Sequence, residues 1–334
     1  MKTIALISGG LDSILAAKFI QTQGIQVLPV NFQIPFCHRQ RETRKEDKDI
    51  LWQVKNNLGT ELQRIDIGKE FLELILRPKY GFGSNMNPCL DCKILMLRKA
   101  KELMPQLEAA FIITGEVVGQ RPMSQYRWAL ENIAKQAGLE GLVLRPLSAK
   151  LLPETIPERE GWVKREKLLD FNGRTRQPQI ELAKAFGITD YAQPAGGCLL
   201  TDPRFAQRLK DLIAHRELNL ANVELLKFGR HFRLAPQAKL VVGRNERENT
   251  RLAELAAKND YLFMPTEELA GPTALGRGEF NPELIEISCR IVCRYCDLNG
   301  EVATEIIYSR ISEQQRNTLT LAPLDETALS GLRL

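Results

Sequence analysis

The chain has 334 residues, of which 44% are hydrophobic and 26% charged, a balance that excludes a disordered or fibrous protein and leaves room for two globular domains. No apolar run reaches the length of a membrane span and the N-terminus enters directly into a strand-like run, so a cytoplasmic protein with no membrane partner is expected. The net charge of +5 permits a nucleic-acid partner without demanding one, and seven cysteines are expected to be metal ligands, catalytic thiols or buried apolar residues rather than structural disulfides.

Thr3-Ile4-Ala5-Leu6-Ile7 is short, β-branched and continuously apolar, which predicts a buried parallel strand. Ser8-Gly9-Gly10-Leu11-Asp12-Ser13 follows and opens a helix in which Leu11, Ile14, Leu15 and Phe19 recur at helical spacing. The two glycines permit a tight turn whose N–H groups point at one anion, and the helix start adds about half a positive charge. Ser8 and Ser13 offer hydroxyls to phosphate oxygens, and Asp12 offers a carboxylate for Mg²⁺. No lysine follows as in a Walker loop, so phosphate is cradled another way. Residues 24–32 predict a second strand, and its end, at Asn31, is where the adenine of a nucleotide held by the first loop is expected. The run from Arg39 to Lys48 is rich in both charges and reads as a solvated helix face leading to a helix that ends near Leu58. Residues 61–67 give a third strand, and the alternation of strands and helices predicts a doubly wound parallel sheet.

Residues 81–92 form a loop of Gly, Ser, Asn and Pro that delivers Cys89-x-x-Cys92 to a helix start, where thiolates are favoured. The strand at residues 108–114 ends in Thr114, Gly115 and Glu116, with Gln120 and Gln125 close behind, at a carboxyl end where substrate groups belong. A short strand follows at residues 142–144. Between residues 151 and 176, Arg159, Lys164, Arg165, Lys167, Arg174 and Arg176 interleave with Trp162 and Phe171, a composition that fits either RNA contact or a plain surface. A helix at residues 178–186 leads to a loop at 192–197 that delivers Cys198. Cys89, Cys92 and Cys198 would leave one position open: one iron of a [4Fe–4S] cluster, or the water site of a catalytic zinc. A buried, unliganded Cys198 is the alternative.

Residues 202–215 predict a helix within a linker. Beyond it, residues 239–242 and 283–289 have strand character and residues 247–258 a helix pattern. Arg230, His231, Phe232, Arg233 and Arg244 are expected to form a phosphate-contacting face. Cys289-x3-Cys293-x2-Cys296 has the spacing of a radical cluster motif, yet too little chain follows to build a barrel around it, and it is read as coincidence in a strand-like run. That run reaches an Asn299-Gly300 hairpin turn, with Cys289 and Cys293 on one face and Cys296 on the other.

Ser8 to Ser13 match the SGGxDS signature of the PP-loop ATP pyrophosphatases, a resemblance that implies cleavage of ATP to AMP and pyrophosphate with transfer of AMP to a carbonyl oxygen. The first 200 residues are similar to the tRNA thiolases of that class, most to the PP-loop domain of the 4-thiouridine synthetases. The similarity runs through Thr114-Gly115-Glu116-x-x-Gly119-Gln120, Ser124-Gln125 and Met96-Leu97-Arg98. Asn87-Pro88-x-x-x-Cys92 also resembles the 2-thiouridine enzymes, and the cysteine triad resembles that of thiolases with an open-site [4Fe–4S] cluster. Phe228-Gly229-Arg230-His231-Phe232-Arg233-Leu234 and Lys239-Leu240-Val241-Val242-Gly243-Arg244-Asn245 resemble the RNA-binding module of the NFACT proteins.

The expected fold is an α/β doubly wound parallel sheet with a smaller α+β domain, arranged as residues 1–200, a linker at 201–220, and residues 221–334. The resemblance implies ATP on Ser8, Gly9, Gly10, Asp12, Ser13, Asn31, Thr114, Gly115, Glu116 and Gln120, with Mg²⁺ on Asp12. Asp12, Cys89, Cys92 and Cys198 are the implied catalytic residues, and Arg121, Gln125, Arg230, His231, Arg233 and Arg244 the implied RNA contacts. The implied partners are tRNA and a sulfur donor, either sulfide or a desulfurase-derived source. No segment matches the N-terminal tRNA-binding domain or the rhodanese domain of a standard synthetase, so another sulfur route is expected. Three other readings stay open: a Cys198 persulfide resolved by Cys89 or Cys92, an amidating or ligating enzyme on a small acid, and an RNA-binding protein with an inactive nucleotide pocket.

Overall fold

A computed structural model describes residues 1–37, 50–191, 198–298, 300–313 and 315–334. The charged run from Arg39 to Lys48, the 192–197 loop and Asn299 of the Asn-Gly pair lie outside the described residues. The chain divides into two compact units, Met1–Thr201 and Asp202–Leu334. Among the described residues no helix is long and apolar enough to cross a membrane.

The first unit runs β1 (Lys2–Leu6), α1 (Leu11–Gln21), β2 (Gln26–Gln33), α2 (Ile50–Leu58), β3 (Gln63–Asp66), α3 (Gly68–Leu76), α4 (Cys89–Leu107), β4 (Phe111–Thr114), α5 (Arg127–Gln136), β5 (Val143–Leu144), α6 (Ile156–Arg159) and α7 (Gln177–Ala185). Its five strands are parallel in the order β3-β2-β1-β4-β5. The strands alternate between two cores. Ala5, Phe111 and Ile113 face one side with Ile14 and Leu15 of α1 and Val54 of α2, while Ile4, Val30 and Ile112 face the other with Ile94 and Leu97 of α4 and Ile133 of α5. Each such side chain, fully removed from water, contributes roughly 1.5–3 kcal/mol, so burial on both faces is what selects this layered sheet. Strand order reverses beside β1: the chain leaves it to build β2 and β3 on one side and returns to β4 on the other. The carboxyl ends of β1 and β4 therefore open a crevice at the topological switch point, the usual ligand position in such sheets.

The second unit contains α8 (Pro203–Ala214), α9 (Leu220–Leu225), β6 (Arg230–Ala235), β7 (Ala238–Val242), α10 (Glu246–Glu254), β8 (Tyr261–Pro265), β9 (Ala274–Gly278), α11 (Pro282–Arg294), β10 (Thr304–Arg310), β11 (Asn317–Leu321) and α12 (Glu326–Leu332). Its six strands form an antiparallel sheet in the order β11-β10-β8-β9-β7-β6. α8 belongs to this unit and buries Phe205, Leu209 and Leu212.

The strand expected at residues 283–289 is instead part of α11. Asn281 caps it through a bond from the Leu284 N–H (2.8 Å), and Pro282 sits at the first helical position, a start signal that outweighs the β-branched run. Cys289 and Cys293, four residues apart on that helix, both point into the core with Val292 and Ile291 and are fully buried. They serve as small apolar residues. β10 pairs with β8 and β11, not with the cysteine run.

Candidate active site at the switch point of the parallel sheet

The loop after β1 is held by its own serines. Ser13 Oγ donates to Gly10 O (2.8 Å) and accepts from the Ser8 N–H (3.3 Å), while the Gly10 N–H donates to Ser8 Oγ (3.4 Å). Gly9 adopts φ +83°, the left-handed region that favours glycine, and Gly10 is the N-cap of α1. Gly115, at the end of β4, has a different reason to be glycine. A β-carbon there would lie 2.4–2.5 Å from Asp12 C, Asp12 O and Ser13 N, so β4 packs directly on the backbone of the loop. Asn31 at the end of β2 donates to Ile7 O (2.7 Å), fixing the third wall of the crevice.

Asp12 projects from the first turn of α1. Its Oδ2 accepts from Gln120 Nε2 (3.0 Å), whereas Oδ1 is buried with no partner. Burial pushes its carboxyl above the usual range, partly offset by the Gln120 bond and by the charges of Arg176 and Arg121. Ser124 Oγ and Gln125 Oε1, on the segment that follows Gln120, are likewise buried without partners. Orphaned polar atoms at a crevice mark groups that a ligand completes, and a hard cation beside phosphate suits Asp12 Oδ1. Gln125 is buried rather than a surface contact, while Arg121 is exposed.

Thr114 and Glu116 are committed elsewhere. Glu116 is buried and pairs with Lys93, while its Oε2 accepts from Arg145 Nε (3.1 Å) and Thr114 Oγ1 (3.1 Å). Burial alone would raise its carboxyl, but Lys93 and Arg145 outweigh it and hold the value at about 2. This ion triad clamps the end of β4 to α4 and to the segment after β5, so the Glu116 carboxylate is already engaged by Lys93, Arg145 and Thr114. The sequence carries no local sign of Lys93 or Arg145, because the three charges meet only through the fold.

The structure gathers Cys89, Cys92 and Cys198 and adds a fourth, Cys37. Cys37, just after β2, lies opposite Cys198 in an isolated antiparallel bridge. Two bonds tie the loop before α4 to the segment after Cys198: Met86 N–H to Leu200 O (3.1 Å) and Asn85 Nδ2 to Thr201 O (2.8 Å). The Cys198 thiol donates to Phe36 O (3.5 Å). Asp91, between the cysteines of the pair, is a buried anchor that accepts the N–H groups of Lys79 (3.1 Å) and Tyr80 (3.0 Å). Burial, then the neighbouring Cys89, Cys198 and Cys37, pushes the Cys92 thiol well up, and burial pushes Cys198 up to about 12. The helix-start advantage expected for thiolates is thus outweighed at Cys92. Among the described residues no three His, Cys, Asp or Glu side chains stand close enough to share one metal ion.

In the second unit the expected phosphate face is largely internal. His231 is fully buried, its Nε2 2.7 Å from Phe228 O, and burial holds it well below the usual histidine range, so it cannot meet a phosphate. Arg233 is locked between Asp211 (2.6 Å) and Glu217 (2.8 Å). Arg230 lies 4.5 Å over the Tyr295 ring and donates to Gly243 O (3.1 Å), half-buried. Arg244 stays exposed, paired with Glu248.

Residues 1–150 match the family model described as thiamine biosynthesis protein (ThiI), and residues 229–331 match that of the NFACT protein RNA binding domain. Relatives include a probable tRNA sulfurtransferase of Thermococcus kodakarensis, 28% identical over 36% of this chain and 30% of that protein, and another of Methanosarcina mazei, 32% identical over 36% and 29%. A tRNA-specific 2-thiouridylase of Nitratiruptor is 28% identical over 34% of each chain. The chain thus spans about a third of the length of these curated relatives. A solved 4-thiouridine synthetase in complex with RNA and ATP aligns at TM-score 0.35 and 21% identity, over 67% of this chain and 52% of that one. The α/β unit thus resembles the ThiI family model over residues 1–150, and the antiparallel-sheet unit resembles the NFACT RNA-binding model over residues 229–331.

Proposed function

We propose that the protein thiolates uridine in tRNA with ATP as activator. The observation that carries this reading is Asp12, whose Oδ1 is buried without a partner on a phosphate-type loop, in a unit where Cys37 and Cys198 face each other across a backbone bridge. The loop from Ser8 to Ser13 holds the triphosphate, and Asp12 Oδ1 takes Mg²⁺. The uridine carbonyl oxygen attacks the α-phosphorus, pyrophosphate leaves, and the oxygen becomes part of an AMP leaving group. Arg121 and Arg176 offset the negative charge that gathers there. Sulfur then displaces AMP. The relatives named tRNA sulfurtransferase and 2-thiouridylase, together with the RNA-binding-type second unit, support tRNA as the acceptor.

For the sulfur half, Cys89, Cys92 and Cys198 would hold a [4Fe–4S] cluster. Each thiolate of such a cluster would bind a different iron. When bound, such a cluster supplies one iron with an open position for sulfide. The position of Cys37 favours a second route, through a persulfide on Cys198.

The test is mass spectrometry of tRNA nucleosides from a deletion strain, with pyrophosphate release measured on the purified protein. Thiouridine is expected to disappear and to return with the wild-type chain, but not with Asp12→Asn or Cys198→Ser. Unchanged thiouridine, or pyrophosphate release driven by a small carboxylic acid without tRNA, would overturn the reading. Iron content and a brown colour separate the two sulfur routes.

A further inference from the structure

Cys37 has no part in the cluster route above, and the fold gives it a defined partner. It lies opposite Cys198 in the antiparallel bridge, and the Leu199 N–H donates to Phe36 O at 3.1 Å across it. That bond makes Cys37 and Cys198 a non-hydrogen-bonded pair, the type whose α-carbons stand about 4.5 Å apart with side chains on the same face. A disulfide spans roughly 4.4–6.8 Å between α-carbons, so the pair is within bonding reach near the short end of the range. Bridges formed there carry strain and are readily reduced, which suits a bond made and broken in each turnover. Cys89 and Cys92 lie on α4, which among the described residues has no β-bridge to the Cys198 segment. Cys37 is also exposed, open to a reductant, while Cys198 sits deeper.

We propose that Cys37 is the resolving thiol for sulfur carried on Cys198, an assignment that rests on the persulfide route of the thiolation reading and places the resolving role outside the Cys89–Cys92 pair. A persulfide donor first transfers one sulfane sulfur to Cys198. The Cys37 thiolate then attacks Cys198 Sγ. The bond between Cys198 Sγ and the terminal sulfur breaks, and that sulfur leaves with the electron pair as hydrosulfide, free to displace AMP from the activated carbonyl. The two thiols are oxidised to one disulfide as the sulfane sulfur is reduced to sulfide, so the step balances without an outside oxidant. A dithiol reductant then restores both cysteines and is itself oxidised to a disulfide.

The experiment loads the reduced full-length protein with inorganic polysulfide, blocks free thiols and maps peptides by mass spectrometry. The wild-type chain is expected to give a peptide linking Cys37 to Cys198 that dithiothreitol removes. In Cys37→Ser the Cys198 persulfide is expected to accumulate roughly tenfold instead, because exchange has lost its nucleophile. A link from Cys198 to Cys89 or Cys92 in the wild-type chain, or an equal persulfide level in Cys37→Ser, would overturn the assignment. The readout uses protein alone, so loss of tRNA thiolation with an intact Cys37–Cys198 link would count against the proposed reaction and not against the pairing.

Discussion

Asp12 in the first unit and Asp211 in the second are both largely sheltered acids near arginines, and their surroundings treat them in opposite ways. Asp211 accepts two bonds from Arg233 (3.1 and 2.6 Å) and one from Lys239 (3.2 Å), and these hold its carboxyl below the usual range despite burial. Asp12 has one amide bond, one bare oxygen and a carboxyl pushed upward. A satisfied buried charge organises the fold. An unsatisfied one carries a cost that a ligand can relieve, which supports Asp12 as a residue of the proposed site.

The comparison can be broken by neutralising each acid in turn. Asp12→Asn should lower pyrophosphate release by a factor on the order of 10³ while leaving the melting temperature equal or higher, as expected where a polarising group is costly to the free protein. A fall in melting temperature would make Asp12 a structural acid like Asp211. Glu116→Gln should cost about 3 kcal/mol, because Lys93 and Arg145 are left buried with a neutral partner, and denaturant unfolding measures it. The pH sign follows from a folded value of about 2. The stabilisation is complete above the ordinary glutamate range and is lost as pH falls toward 2, and in the Gln variant that acid-side loss should shrink. Asp211→Asn should cost about 2 kcal/mol with pyrophosphate release per folded molecule unchanged. The smallest effect belongs to Arg244→Ala. Stability should fall by no more than about 1 kcal/mol, since Arg244 is exposed and Glu248 keeps the Gly229 N–H as a partner, while the salt slope of tRNA binding falls by at most about 0.9. An unaltered slope would mean that Arg244 meets no phosphate.

The parts of the site written in local sequence were legible: the loop from Ser8 to Ser13 has its glycines, its helix and its apolar strand in one contiguous stretch, and Cys89, Cys92 and Cys198 stood out by residue type. What escaped reading depends on contacts between distant segments. Lys93, Arg145 and Glu116 look like ordinary charges until three elements meet. Cys37 was invisible because its significance lies in a backbone pairing with Cys198, not in any spacing. In the second unit, basic composition suggested a phosphate face, but composition does not reveal direction, and His231 and Arg233 point inward. The α11 segment misled because Ile and Cys suit strands as readily as helices, and the Asn281-Pro282 start was the deciding signal.

The contact at Gly115 bears on the nucleotide binding proposed above. With β4 resting on the backbone of Asp12 and Ser13 and no space for even a methyl group, the loop is braced before ATP arrives. A braced loop loses little conformational freedom on binding, so more of the interaction energy appears as affinity. Gly115→Ala would force the loop off its support, and the entropic penalty of nucleotide binding, read by calorimetry, should rise.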